Sequence, residues 1–177
     1  MNSTSDDNKL LKNLSVAIVD NPRGTTKELA EAIGISKATL HRIYGTRENM
    51  ENILMEKASN AVKSIISITE IDFVDYKEGI KILLKAHYEN KEFLTFVCGY
   101  QLGVEDEYWN DYFKALDSFF LKGQKSGVFK IDFSVPALTE IFVASFSGMM
   151  EAERKGRVGS SYMLDNLENL LLYGLIN

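Results

Sequence analysis

The chain has 177 residues, 45% hydrophobic and 25% charged, which is ordinary for a globular protein and excludes a long disordered segment. Its one cysteine, Cys98, excludes an intrachain disulfide, and its most apolar runs are too short to span a bilayer. The net charge is −5, but residues 1–57 carry 8 basic and 8 acidic side chains, so the excess acidity lies in residues 58–177. Because the N-terminus is polar and acidic, unlike a signal peptide, we expect a cytoplasmic protein.

Segments with a helical repeat of apolar residues follow one another along the whole chain, separated by short breaks rich in Gly, Asn, Asp or Thr. No run shows the strict alternation of a half-buried strand. The pattern predicts an all-α fold of about nine helices. We expect them at about residues 9–19, 25–33, 37–44, 46–68, 76–89, 92–102, 107–125, 135–155 and 161–175.

The second and third of these helices have the pattern of a helix-turn-helix, in which two short helices cross over a tight turn. The crossing needs inward apolar side chains, one small residue where the backbones approach, and a turn residue that tolerates positive φ. Ala30 and Gly34 fit the last two requirements. The inward apolar set would be Leu29, Ile33, Ile35, Leu40 and Ile43.

The outward face of the third helix would be short, polar and locally basic, as a surface that reads DNA must be. Arg42 can contact phosphate or the acceptor edge of guanine, Thr39 can bind phosphate or pack on a thymine methyl, and Ala38 permits close approach. Further candidates are Lys37 at the helix start, Thr26 and Lys27 in the first turn of the preceding helix, and Arg47 as a phosphate contact from the next helix.

The stretch from Thr25 to Tyr44, continued by Arg47 and Glu48, resembles the DNA-binding signature of the tetracycline-repressor (TetR/AcrR-like) family. The resemblance implies a three-helix DNA-binding domain at 1–47, a helical ligand-binding and dimerisation domain at 48–177, and a homodimer through the last two helices on a palindromic operator. The family usually has Tyr where His41 stands and Lys where Arg47 stands. The DNA contacts it implies are Thr26, Lys27, Lys37, Ala38, Thr39, His41 and Arg47, to which the outward face adds Arg42.

An aromatic stripe at helical spacing between Tyr108 and Phe120 is compatible with either core packing or the wall of an apolar ligand cavity. His87 has the same two interpretations, as a core histidine with satisfied hydrogen bonds or as a polar group facing a ligand. With only two histidines and one cysteine, no metal site, catalytic set or cofactor is expected. The candidate ligand-binding residues are His87, Tyr100, Gln101, Trp109, Tyr112 and Phe113.

These observations predict a transcriptional regulator and not an enzyme. The first hypothesis is a repressor released from its operator by a small apolar or aromatic ligand. The alternative is an architectural or protein-partnered DNA-binding regulator that has no small-molecule ligand.

Overall fold

The computed structural model of the chain describes residues 3–99 and 106–174. Within these two ranges it contains nine α-helices and no β-strand, which confirms the all-α prediction. No helix in these ranges combines the length and the hydropathy that a membrane-spanning segment requires. The helices are α1 (Ser3–Asp20), α2 (Thr26–Ala32), α3 (Lys37–Tyr44), α4 (Arg47–Thr69), α5 (Tyr76–Glu89), α6 (Lys91–Gly99), α7 (Asp106–Lys125), α8 (Val135–Arg154) and α9 (Ser160–Gly174).

Helix α1 begins at Ser3, well before the predicted start near Lys9. The added turns carry polar and acidic side chains, which have no apolar repeat by which a sequence pattern could detect them. Their acidic groups suit the positive end of the helix dipole. The other helix bounds lie close to the expected ones, because caps and turn residues mark them locally.

The chain divides into two compact units, and the division crosses α4 after Val62. The first unit comprises the described parts of Met1–Val62 and Asn90–Val104, and the second those of Lys63–Glu89 and Glu105–Asn177. The predicted domain boundary at residue 47 keeps α1–α3 together. The compact first unit additionally takes in most of α4 and the whole of α6.

Helix α6 belongs to the first unit because its apolar face packs on α1. Leu14 and Ile18 of α1 are fully buried, as is Phe96 of α6. An ion pair between Lys12 and Glu92, with 3.2 Å between nitrogen and oxygen, joins the two helices beside this apolar contact. The core beneath the helix-turn-helix is thus completed by a segment that follows it by some fifty residues in sequence.

The second unit is a helical bundle in which α7 packs on α8, and α9 packs on both α5 and α8. Its core is aromatic: Phe119, Phe120, Phe129 and Phe142 are all buried. Gly123 permits the approach of Phe129, because a Cβ atom at that position would lie 2.2 Å from the phenylalanine ring. This close contact lies at the turn that follows α7, where the sequence is Gly127-Val128-Phe129.

Candidate nucleic-acid interface

Helix α2 begins with a reciprocal cap. The backbone N–H of Thr25 donates to the Glu28 carboxylate at 2.7 Å, and the Glu28 N–H donates to the Thr25 hydroxyl at 3.3 Å. The bond from the Thr25 backbone, followed by that from its hydroxyl, lowers the pKa of Glu28. The first helical residue is therefore Thr26, and Lys27 lies in the first turn, as predicted.

The turn between α2 and α3 depends on Gly34, whose φ is +76°. The Gly34 N–H donates to the carbonyl of Glu31, and the Ile35 N–H donates to the carbonyl of Ala30. These two bonds are the pair that ends a helix when the residue after its cap is left-handed. Ser36 then caps α3 by accepting a bond from the Thr39 N–H at 3.0 Å.

Helix α3 turns Leu40 and Tyr44 into the core, where their side chains are 0% and 4% exposed. The prediction that Ile43 is also buried is wrong, since its side chain is 44% exposed. The buried stripe is centred between Leu40 and Tyr44, and at roughly 100° per residue Ile43 lies about 80° from that centre. Ile33 and Ile35, predicted to face inward, are half-buried.

The predicted DNA-reading face of α3, hereafter the reading face, lies on the opposite side of this reading helix. It consists of Lys37, Ala38, Thr39, His41 and Arg42. Arg42 is on the side directly away from the buried stripe and is exposed, with the small Ala38 one turn before it. Thr39 is half-buried, and its hydroxyl lies 2.9 Å from that of Ser36. The remaining members, Lys37 and His41, are exposed.

On α2 the two candidate contacts differ in exposure. Thr26 is half-buried, whereas Lys27 is exposed and lies 3.7 Å from the Glu31 carboxylate on the next turn. Because both partners of this pair are well exposed to solvent, the pair is weak and the lysine can exchange it for a phosphate.

Arg47 occupies a different environment from the other cations of the predicted set. Its guanidinium donates to the carbonyl oxygens of Gly24 at 2.6 Å and Pro22 at 3.0 Å, and its Nε pairs with the Glu51 carboxylate. The two bonds to carbonyl oxygens join the start of α4 to the turn that precedes α2, whereas the Glu51 pair lies within α4.

Two polar residues that the sequence pattern did not reveal, Asp7 and Asn49, hold the reading helix in place through Tyr44. The Tyr44 hydroxyl donates to the Asp7 carboxylate at 2.7 Å, and burial followed by this bond raises the pKa of Tyr44. The Asn49 side-chain amide donates to the carbonyl of Tyr44 at 2.7 Å. The contact with Asp7 spans 37 residues, and no local pattern announces it.

In the second unit, two of the candidate ligand-binding residues form a buried hydrogen-bonded pair. The His87 Nε2 lies 2.8 Å from the Tyr112 hydroxyl, and Nδ1 lies 2.8 Å from the carbonyl oxygen of Leu83. Desolvation by burial lowers the pKa of His87 to about 4, against the opposing effect of the Leu83 bond. Both ring nitrogens thus have partners, as the core interpretation of His87 requires.

Aromatic rings surround this pair. Trp109 and Phe113 make edge-to-face contacts with Tyr112, at ring-centroid distances of 5.7 and 5.5 Å, and both are half-buried. Four of the six candidate residues are therefore gathered in one place. The other two, Tyr100 and Gln101, lie outside the described residues.

No protein-family model matches the sequence. The HTH-type transcriptional regulator NfxB of Pseudomonas aeruginosa is 42% identical over 183 residues, which span 100% of this chain and 98% of NfxB. The TetR-family regulator PfmR from Thermus thermophilus has a similar fold, with a TM-score of 0.55, 20% identity and coverage of 88% of this chain and 97% of PfmR. The TetR-like regulator LfrR from Mycobacterium smegmatis, in complex with proflavine, has a TM-score of 0.60, 15% identity and coverage of 95% of each chain.

The identity to NfxB extends over the whole chain, and PfmR and LfrR share the helical fold of this chain. NfxB, PfmR and LfrR are all transcriptional regulators, which confirms the prediction of a regulator and not an enzyme. The chain belongs to the tetracycline-repressor (TetR) family of bacterial helix-turn-helix regulators, which bind DNA to control transcription.

Proposed function

We propose that the protein is a repressor that binds a palindromic operator as a homodimer and leaves it when a small apolar or aromatic ligand binds the second unit. It acts in the cytoplasm, where the DNA is. The proposed DNA contacts are those of the predicted reading face and its neighbours: Thr26, Lys27, Lys37, Ala38, Thr39, His41 and Arg42.

The proposal that the protein binds DNA depends on one observation, namely that α3 has one buried side and one exposed side. Its inner side is buried through Leu40 and Tyr44, and its outer side exposes Arg42 and the small Ala38. A helix of this kind can enter the major groove, where a guanidinium binds guanine or phosphate and a small residue lets the backbone come close. The net negative charge of the chain does not prevent DNA binding, because only this face of α3 would contact the groove.

The homodimer is supported by the outer surfaces of α8 and α9. On α9 the apolar side chains Tyr162, Leu170 and Tyr173 are exposed, with exposed fractions above one half. On α8 the small residues Ala144 and Gly148 are exposed one turn apart, which allows another helix to approach closely. A twofold partner on this surface would bury these groups and supply a second α3 for the second half-site.

The ligand is assigned to the aromatic cluster around His87 and Tyr112. Such surroundings, with one polar pair, suit an apolar or planar aromatic molecule. LfrR, which has a similar fold, is described in complex with the planar aromatic compound proflavine. Helix α4 continues from the first unit into the second, so a ligand that moves its C-terminal part would also move the reading helices.

The pair of His87 and Tyr112 can also be interpreted as part of the hydrophobic core. This interpretation favours the alternative, a regulator without a small ligand. His87 and Tyr112 are both buried and hydrogen-bonded to each other, and so need no further polar partner. In that case a protein partner, or binding to DNA alone, would determine the regulation.

The DNA contact is tested by measuring affinity at several salt concentrations for a duplex enriched from a random pool by the wild-type protein. Lys37→Ala should weaken binding and reduce the slope of log affinity against log salt by about one. Lys77→Ala, a control at an exposed position of the second unit, should leave the slope unchanged. Equal slopes for the wild type and Lys37→Ala would refute the assignment.

The ligand is tested with proflavine and a panel of other planar aromatic compounds. Trp109 is the only tryptophan and contacts Tyr112, so its fluorescence reports binding at the cluster. We expect at least one compound to quench Trp109 and to lower affinity for the enriched duplex. Operator affinity that no compound in the panel changes would support the ligand-free alternative.

A further inference from the structure

Arg47, the first residue of α4, directs its hydrogen bonds into the protein. One guanidinium NH₂ group donates to the Gly24 carbonyl at 2.6 Å, the other to the Pro22 carbonyl at 3.0 Å, and Nε binds the Glu51 carboxylate. The Arg47 and Glu51 side chains are only 25% and 22% exposed. We propose that Arg47 is a positioning residue that fixes the entrance of α2 to α4, and that it does not bind phosphate as its residue type suggests.

Electrostatics supports this assignment. The Glu51 carboxylate, one turn further along α4, compensates the guanidinium charge within the protein. A cation that already has a carboxylate partner releases few counterions when DNA arrives, and so contributes little to the salt dependence of binding. Lys37 differs in this respect, because it is exposed at the start of the reading helix.

The same turn of α4 also holds the other end of the helix-turn-helix. The Asn49 amide donates to the carbonyl of Tyr44, the last residue of α3, and the Asn49 N–H donates to the Thr46 hydroxyl at 3.2 Å. Arg47 thus fixes the segment before α2, and Asn49 fixes the end of α3. With both ends attached, α2 and α3 follow α4 as one body.

The geometry requires an arginine. A planar guanidinium presents donors in a rigid fork, so it can bind two carbonyl oxygens and a carboxylate together, whereas a lysine ammonium is a single point charge on a flexible stem. Arg47→Lys therefore keeps the charge and loses the fork. This substitution separates positioning from phosphate binding, for which the charge alone would be sufficient.

The inference rests on the proposed DNA interface, and the experiment separates the two. Affinity for the enriched duplex is measured against salt for Arg47→Lys, Arg47→Ala and Lys37→Ala, at a temperature where circular dichroism shows every variant folded. We expect both Arg47 variants to lose about tenfold in affinity, the equivalent of one charged hydrogen bond, with the salt slope unchanged. Lys37→Ala should lose about one unit of slope. An unchanged Lys37→Ala slope would overturn the interface and not the role of Arg47.

A stability control distinguishes positioning from a general loss of folding. Gly156 in the second unit has a φ of +69°, and a Cβ added there would have no atom within 4 Å. Gly156→Ala should therefore lower the melting temperature through its backbone strain without lowering DNA affinity. If Arg47→Lys behaves like Gly156→Ala, Arg47 only stabilises the fold and the proposal is overturned. It is equally overturned if Arg47→Lys binds as the wild type does while Arg47→Ala loses one unit of slope.

Discussion

Replacing the hydrogen-bonded pair of His87 and Tyr112 in the second unit should change how the free energy of unfolding depends on pH. His87 is 2% exposed and lies among the rings of Tyr112, Phe142 and Phe146. The Leu83 carbonyl can only accept, so Nδ1 carries the proton and Nε2 accepts from the Tyr112 hydroxyl. A second proton would place a charge among aromatic rings and break the bond from Tyr112.

The magnitude follows from the two pKa values of His87. Burial lowers the pKa to about 4 in the folded protein, against 6.5 for an ordinary histidine. The unfolded chain therefore binds the proton first as the pH falls. The stability from neutral His87 is complete above pH 6.5 and is lost progressively between pH 6.5 and 4, with a limit of about 3 kcal/mol.

The assay compares the wild type with the double variant His87→Phe/Tyr112→Phe, which removes both members of the pair and leaves no unpaired polar atom between them. Urea unfolding at about pH 7 and about pH 5 gives the free energy of unfolding of each. The wild type should lose about 2 kcal/mol more than the double variant between these pH values. Titrations of the exposed carboxylates are common to both proteins and cancel. Parallel losses would refute the assignment of a buried neutral histidine.

Three further substitutions test other parts of the structure. Gly34→Ala should lower the free energy of unfolding by about 1 kcal/mol through its positive φ alone, which would lower the melting temperature by about 2–4 °C. Gly34→Asn should lower it less, because asparagine tolerates positive φ better. Equal melting temperatures for the wild type and both variants would contradict this. Tyr44→Phe should cost about 1–2 kcal/mol by removing the donor to Asp7, and a variant as stable as the wild type would show that bond to be dispensable. Leu170→Asp should yield monomers in sedimentation, whereas Ile131→Asp, a control at another exposed apolar position, should not; a dimeric Leu170→Asp would place the interface elsewhere.

The boundaries of the short helices could be predicted because their signals lie within a few residues. Thr25 and Glu28 cap each other across three residues, and Gly34 ends α2 through bonds that reach back to the carbonyls of Glu31 and Ala30. Such interactions depend on residue type and spacing alone. The start of α1 could not be predicted in this way, because its first turns carry no apolar repeat.

The exposure of the reading face was only partly predictable. Helical periodicity places Arg42 outside and Leu40 inside, as observed, but it placed Ile43 in the core. An apolar residue at the edge of a stripe is buried only if a neighbouring element covers it, and its position relative to that element depends on the packing of the whole unit.

From the sequence alone one can predict that the protein is helical, that its second and third helices form a helix-turn-helix, and that Leu40 faces the core while Arg42 faces outward. Three further features become visible only in the folded protein: α6 completes the first unit, Arg47 binds the turn 23 residues before it, and His87 pairs with Tyr112 25 residues later. The difference is one of range, because caps and helical faces arise from neighbours along the chain, whereas these contacts join segments whose approach is determined by the packing of helices in each unit.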